Sequence, residues 1–432
     1  MKITPIRFIA IFCVLILIHG CIPVRQGLGS MKVKKSFKKS VIFSNQFTGF
    51  LLFDPNTKEY LIEHNADLHF TPASNTKIFI TAACLSIFKD SIPTFKIKRD
   101  STLSIYPLGD PTFLHPDFPN QPAIDKIHNR PINIFLPTTE LPVFGPGWAW
   151  DDYQYSFQAE RSWLPVYANE VRIFNTDTLH VIPPFFSDYV ELYLGEKPGS
   201  FIHRDLNYNL FNVWMEHDSS KFERKIPFQY SNELLSTLLS DTTKAPVNIS
   251  ADDFSGAGYD IIYNQPTIPV LALMMQRSDN FLAEQLLITA SRTSGYNNLN
   301  AFRNKLLELW GFSNNIQWVD GSGLSRYNLF TPRTLVKTLN QIFLATDWKN
   351  IQYIFPNGGK SGTIKDWYAG VNQPYVYAKT GTLSNNHCLS GFVVTNSGKK
   401  LIFSFMNNNY LTPVSEVKTE MQKVLETIRD SY

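Results

Sequence analysis

Segments that read as β-strands stand at both ends of this 432-residue chain, and nothing else in the sequence constrains the fold as much. Near the start, Gly49-Phe50-Leu51-Leu52-Phe53-Asp54 and Tyr60-Leu61-Ile62-Glu63-His64 are apolar runs joined through Asp54-Pro55-Asn56-Thr57, the turn chemistry of a β-hairpin. Pro72 and Ser74 then open an apolar helical run from Ile78 to Phe88, with proline at its start and serine available as a cap. Near the end, Tyr375 to Lys379, Leu389 to Thr395 and Leu401 to Met406 read as three strands, and Asn396-Ser397-Gly398-Lys399 is the turn between the last two. An amphipathic helix follows from Val414 to Ile428, and helical periodicity also fills Val270 to Ala290, Leu299 to Trp310 and Pro332 to Thr346. Strands from both termini flanking a helical middle predict one α+β domain, an antiparallel sheet flanked by helices, assembled from residues 46–91 and 263–432.

Residues 92–262 differ in texture. Short β-branched and aromatic runs are broken there by Pro, Gly, Asn and Asp with little helical periodicity, which predicts a mostly β insertion. It carries an aromatic block, Gly147-Trp148-Ala149-Trp150-Asp151-Asp152-Tyr153-Gln154-Tyr155-Ser156-Phe157, followed by Trp163 and Tyr167. Packing in a core is the plainer reading of that block, and stacking on sugar rings is the other. A chain that is 44% hydrophobic and 18% charged is neither disordered nor collagen-like, and a net charge of +3 gives no reason to expect a nucleic-acid partner.

Lys2 and Arg7 precede an unbroken apolar run from Phe8 to Ile18, eleven residues, against the roughly 20 that a spanning helix needs. The run reads as the core of a secretory signal over residues 1–20. It closes on Leu17-Ile18-His19-Gly20-Cys21, a small residue then cysteine, which resembles a bacterial lipoprotein signal and makes Cys21 the expected lipidated first residue. Simple secretion with cleavage nearby is the alternative, and either way the protein is expected to be exported to the periplasm. Residues 21–45 are read as the anchor linker and an N-terminal helix. The basic stretch Lys32 to Lys39 is either one solvated helix face or a contact for anionic headgroups. Cys84 and Cys388 remain as internal thiols, either paired in a compartment that permits disulfides or free as small buried hydrophobes.

Three short motifs carry the chemistry: Ser74-Asn75-Thr76-Lys77, Ser278-Asp279-Asn280 and Lys379-Thr380-Gly381-Thr382. Ser-x-x-Lys also occurs at Ser36, Ser86, Ser397 and Ser415. Only Ser74 opens a helix, where free N–H groups and the helix dipole favour a developing oxyanion. Residues i and i+3 share a helix face, so Lys77 can reach the Ser74 hydroxyl and take its proton, provided burial and a second cation such as Lys379 lower the amine's pKa. Ser-x-Asn recurs at Ser313 and Ser384, but only Ser278 lies on an apolar-periodic helical stretch between the other two motifs. Lys360-Ser361-Gly362-Thr363 is a variant of the third motif that leads into no strand, whereas Lys379 ends one.

In this order the motifs resemble the active-site set of penicillin-binding proteins and serine β-lactamases. With neighbours included, the resemblance narrows. Met274 to Leu287, Asp320-Gly321-Ser322-Gly323-Leu324-Ser325-Arg326-Tyr327-Asn328, Gly109-Asp110-Pro111-Thr112 and Ala378 to Leu383 look like the class C low-molecular-mass penicillin-binding proteins, D-alanyl-D-alanine carboxypeptidases/endopeptidases. The resemblance runs from about Gly49 to the C-terminus. It implies a penicillin-recognising fold with an insertion between the first two motifs, and here Ser74 and Ser278 stand 204 positions apart.

Carried onto matching positions, the resemblance implies Ser74 as acyl-accepting nucleophile and Lys77 as base, with Ser278 and Asn280 in proton transfer and substrate binding. Lys379, Thr380, Gly381 and Thr382 would hold the substrate's terminal carboxylate, and the backbone N–H groups of Ser74 and Thr382 would form the oxyanion hole. Asp152, Phe157 and Arg326 match positions near the substrate's diamino-acid side chain, while Ser384 stands where related enzymes place a further polar contact. For the other residues from Asp320 to Ser325, a tight structural turn is the plainer account. The implied substrate is the peptidoglycan stem peptide, with β-lactam antibiotics as covalent inhibitors, a membrane partner through the lipid anchor, and neither cofactor nor metal. The rivals are a β-lactamase or related amide/ester hydrolase, for which no Glu-x-x-Leu-Asn segment follows Ser278, and a non-catalytic peptidoglycan-binding lipoprotein. No Gly-x-Ser-x-Gly elbow or His-Glu-x-x-His supports a Ser-His-Asp hydrolase or a metal enzyme.

Overall fold

A computed structural model of the chain describes residues 27–99, 102–194, 201–215, 221–253, 258–312 and 316–432. The signal segment 1–20, Cys21 and the Ser313 motif lie outside the described residues. By internal contacts the chain forms two units, one ending at Ile78 and resuming over Leu329–Tyr432, the other Phe79–Asn328.

The first unit is built on a five-stranded antiparallel sheet. Its strands stand in the order Val376–Leu383, Asn386–Val394, Lys400–Asn408, Phe47–Asp54, Glu59–His64. Strands from the two ends of the chain pair at its middle, with Phe50 opposite Phe405. The Phe47–Asp54 and Lys400–Asn408 strands are buried along nearly their whole length, as strands covered on both faces must be. On one face the helix Val414–Ser431 buries Val417, Met421, Val424, Leu425 and Ile428, a single 3.6-period stripe, against Phe50, Leu389, Phe403 and Phe405. On the other face, a Cβ on Gly49 would sit 2.6 Å from the Phe70 ring and 2.9 Å from Pro332, the first residue of the helix Pro332–Ala345.

The helix over residues 27–39 completes this core with Val33 and Phe37, four positions apart, and the Phe37 ring stacks on His64 at 4.5 Å. Lys32, Lys34, Lys35, Lys38 and Lys39 are all exposed, so the basic run forms the polar side of an amphipathic helix.

The second unit holds the remaining strands. A five-stranded mixed sheet runs in the order Val247–Ala251, Ile132–Leu136, Leu103–Pro107, Ser91–Arg99, Asp260–Pro266. Two three-stranded sheets accompany it, and Phe95, Ile134, Val166, Val171, Phe186 and Phe211 share their core. One helix there escapes the sequence reading. Asn232–Thr243 is capped by Ser231, whose hydroxyl accepts from Leu234 N, and it buries Leu235, Leu238 and Leu239. Its i, i+3, i+4 leucines are the helical signal, short enough to be lost among β-rich neighbours. The helices Thr267–Arg277, Asn280–Thr293 and Leu299–Leu309 also belong to this unit.

Candidate active site

The first and third motifs belong to the first unit. Ser74 lies in a 3-10 turn, Ala73–Thr76, that runs directly into the helix Lys77–Ile87. Of the residues from Pro72 to Lys77 only Ser74 is partly open to solvent. Ala73 before it is held at φ +47°, a left-handed conformation that a residue with a Cβ adopts only where the surroundings impose it. Lys77 is fully buried and its Nζ lies 3.1 Å from Ser74 Oγ.

The strand Val376–Leu383 is fixed against that turn. Asn75 Nδ2 donates to the Lys379 carbonyl at 3.0 Å, and a Cβ on Gly381 would stand 2.3 Å from the Pro72 carbonyl oxygen. Only glycine allows this approach, which gives the third motif's Gly381 a steric reason. Lys379 is fully buried, and its Nζ donates to the Thr380 carbonyl at 2.7 Å. Burial, then the charge of Lys77, holds the Lys379 ammonium well below the usual lysine range. Two ammoniums that repel in a low-dielectric site favour a state in which the pair shares a single charge.

Thr380 is buried and its hydroxyl donates to Thr363 Oγ1 at 2.7 Å. The sequence reading sets Lys360 to Thr363 aside as a decoy, yet its last residue supports the true motif. Thr382 is exposed, and its Oγ1 lies 2.9 Å from Nδ1 of His387, which is fully buried. Burial, then the charges of Lys418 and Lys379, pushes the His387 pKa down to about 3, so the ring is neutral at physiological pH.

The second motif belongs to the other unit and is a corner between helices. Ser278 ends Thr267–Arg277 in the left-handed conformation, φ 58° and ψ 40°, and Asp279 is the N-cap of Asn280–Thr293, accepting from Leu282 N at 2.9 Å. The motif's middle residue therefore starts a helix. Asn280 Nδ2 donates to the Phe157 carbonyl at 2.9 Å. Ser278, Asn280 and Phe157 line a cavity of about 170 Å³ with His115, Glu170 and Lys225.

Of the three tentative substrate-side residues, Asp152 lies on the turn Trp150–Gln154, and partial burial and then Asp151 raise its carboxyl pKa. Phe157 is exposed and stacks on Tyr155 at 5.3 Å, and Trp150 is 77% exposed. The core reading of the aromatic block therefore fails for Trp150, Tyr155 and Phe157, although Trp163 is core.

Arg326 and Tyr327 project to solvent from an otherwise tightly closed turn. Asp320 closes it by accepting from Gly323 N at 2.8 Å, Ser325 N at 2.7 Å, Asn328 Nδ2 at 2.7 Å and Trp148 Nε1 at 3.0 Å. Glu284, about one turn into the helix Asn280–Thr293, accepts from Ser322 N at 2.7 Å and faces Arg161 at 3.5 Å, both side chains almost wholly buried. Short-range patterns carry no trace of that pair, 123 positions apart in sequence. Cys84 and Cys388 are both free and buried, and burial raises both thiol pKa values. Among the described residues no group of three or more His, Cys, Asp or Glu side chains could hold a metal ion.

The model of the D-Ala-D-Ala carboxypeptidase 3 (S13) family matches residues 31–178 and 262–430. D-alanyl-D-alanine carboxypeptidase DacB of Haemophilus influenzae is 32% identical over 180 residues, 39% of this chain and 37% of that protein. Carboxypeptidase DacB of Mycolicibacterium smegmatis is 28% identical over 160 residues, 34% of this chain and 35% of that protein. These alignments thus span little more than a third of either relative. The crystal structure of penicillin binding protein 4 (dacB) from Haemophilus influenzae superposes over 92% of this chain and 99% of its own, with a TM-score of 0.70 at 20% identity, which shows the same fold. With the family model matching most of its length, this chain belongs to the D-Ala-D-Ala carboxypeptidase 3 (S13) family, the class C low-molecular-mass penicillin-binding proteins.

Proposed function

We propose that the chain is a serine-type D-alanyl-D-alanine carboxypeptidase/endopeptidase that cleaves peptidoglycan stem peptides through an acyl-enzyme. One observation carries the reading: a partly open Ser74 hydroxyl 3.1 Å from the buried Lys77 amine, with a second buried lysine beside it. In the reaction, Ser74 Oγ attacks the carbonyl carbon of the penultimate D-alanine while Lys77 takes the hydroxyl proton. The backbone N–H groups of Ser74 and Thr382 hold the oxyanion. The C–N bond then breaks, the leaving amine takes a proton by way of Ser278, and water hydrolyses the ester to free Ser74.

Charge sharing between the lysines gives this sequence its timing. A substrate carboxylate held by Thr382, and by Thr380 once its hydroxyl turns from Thr363, favours the shared proton on Lys379, and Lys77 is then left neutral as the base. Asn280 binds the substrate amide, and Asp152, Phe157 and Arg326 are assigned to the side chain of the diamino acid. Penicillin binding protein 4 from Haemophilus influenzae has been crystallised with a β-lactam, which supports β-lactams as covalent inhibitors of this chain too. Fluorescent penicillin should label the wild-type protein and leave Ser74→Ala unlabelled at equal folded concentration. Labelling of both, or of neither, contradicts the assignment.

The leader and Cys21 support a periplasmic enzyme held to a membrane by lipid. Among the described residues no helix is long and apolar enough to cross a membrane. Radiolabelled palmitate should be incorporated into wild type and not into Cys21→Ala, which should move to the soluble fraction. Equal incorporation would remove Cys21 as the anchor.

A further inference from the structure

Along one row of the first unit's sheet, Thr382 pairs with His387, His387 with Asn407, and Asn407 with Thr48. Residues paired in an antiparallel sheet put their side chains on the same face. That face otherwise carries Phe50, Leu389, Phe403 and Phe405 against the C-terminal helix, so the polar row interrupts an apolar surface. Two of its members satisfy each other, since Thr48 Oγ1 donates to Asn407 Oδ1 at 3.0 Å. His387 instead turns its Nδ1 to Thr382, the exposed residue at the sheet edge. Its Nε2 is buried and has no partner among the described residues.

This asymmetry fixes the tautomer. A proton on Nε2 would bury an N–H without an acceptor, whereas a proton on Nδ1 has the Thr382 oxygen to donate to. The Nδ1–H then occupies a lone pair of Oγ1, and the hydroxyl keeps its own proton for a further acceptor. Lys418 on the C-terminal helix and Lys379 on the adjacent strand are the charged groups that bear on the ring, and both act against its protonation.

We propose that His387 is a positioning residue: its Nδ1–H anchors the Thr382 hydroxyl so that the hydroxyl proton faces outward, toward the terminal carboxylate of the substrate. The assignment rests on the proposed acyl-enzyme reading, in which Thr382 helps to hold that carboxylate. Chained hydrogen bonds polarise one another, so the imidazole also makes the hydroxyl a stronger donor.

Two polar replacements separate this role from simple packing. His387→Asn keeps an amide near the Nδ1 position, and His387→Gln moves the amide to the Nε2 position and leaves Thr382 without its partner. Acylation rates would be measured with benzylpenicillin, with an acyl-D-alanyl thioglycolate thioester that carries a carboxylate, and with the methyl ester of that compound. His387→Gln should lose about tenfold on the two carboxylates, the scale of one lost hydrogen bond to a charged group, and under about threefold on the methyl ester. His387→Asn should stay within about threefold of wild type on all three. In a Thr382→Val background, His387→Gln should have no further effect. Equal losses on acid and ester, or Asn and Gln variants that behave alike, would overturn the assignment of His387 while leaving the acyl-enzyme reading intact. A folded wild type that reacts with none of the three compounds would overturn both.

Discussion

Gly381 shows how one residue can tie sequence to chemistry. Its missing Cβ lets the third-motif strand approach the Ser74 turn, because any side chain there would meet the Pro72 carbonyl at 2.3 Å. Gly381→Ala should therefore push strand and turn apart, slowing penicillin acylation by at least about tenfold and costing about 1–3 kcal/mol of stability. Stopped-flow acylation and thermal melts would check both. The lysine pair makes a separate prediction. Lys77 is one of two causes of the low Lys379 pKa, the larger being burial. Lys77→Met removes a neighbouring positive charge, so the Lys379 pKa should rise yet remain below that of a free lysine, as read by NMR of ¹⁵N-labelled side-chain amines. An unchanged Lys379 titration would mean that the two amines do not interact.

At the scale of elements, buried polar pairs hold the loops in place. Glu284 on the helix Asn280–Thr293 accepts from Ser322 N and faces Arg161, so Glu284→Ala would leave a buried cation and an orphaned N–H. A loss of about 3–5 kcal/mol is expected from denaturant titration. His387 gives the sheet a pH dependence. Its folded pKa of about 3 lies below the unfolded value of 6.5, so the unfolded chain binds the extra proton and stability falls on acidification between those values. Between pH 6.5 and pH 4 this single group costs about 3 kcal/mol. His387→Asn lacks the titrating ring and should lose correspondingly less stability over that interval, by denaturant midpoints at each pH.

The limits of sequence reading also lie at this scale. Ser74 and Lys77 are legible together because i and i+3 lie on one helix face, a purely local relation. Thr363 beside Thr380 and Arg161 beside Glu284 are made by tertiary packing, and no local pattern announces them; His387 meets Thr382 across the tight turn at Ser384-Asn385, a relation visible only once the hairpin register is known. The helix Asn232–Thr243 is the opposite case, a local signal present in three leucines and a serine cap but overlooked against its β-rich surroundings.

At the scale of the whole molecule, the placement of strands at both termini carries the most information. It predicts a sheet shared between the ends of the chain, and Phe50 does pair with Phe405. The exposure of Trp150, Tyr155 and Phe157 is not readable in the same way, because an aromatic block looks alike whether it is packed inside or presented to a ligand. The sequence texture that separates residues 92–262 also differs from the division made by packing, which groups Phe79–Asn328 together. Texture reports local preference, while packing also follows the long contacts of buried helices such as Asn280–Thr293.

A Ser74 acyl-enzyme acting on D-alanyl-D-alanine bonds underlies the proposed function. Its most direct test is mass spectrometry of the products formed when purified wild type and Ser74→Ala separately meet pentapeptide monomers and cross-linked dimers. Loss of one alanine, or splitting of the dimer, by wild type and not by Ser74→Ala is the predicted result, and the faster reaction identifies the leading activity. Intact substrates with a folded, penicillin-labelled wild type would contradict it, leaving a real acylation site whose substrate is not the stem peptide.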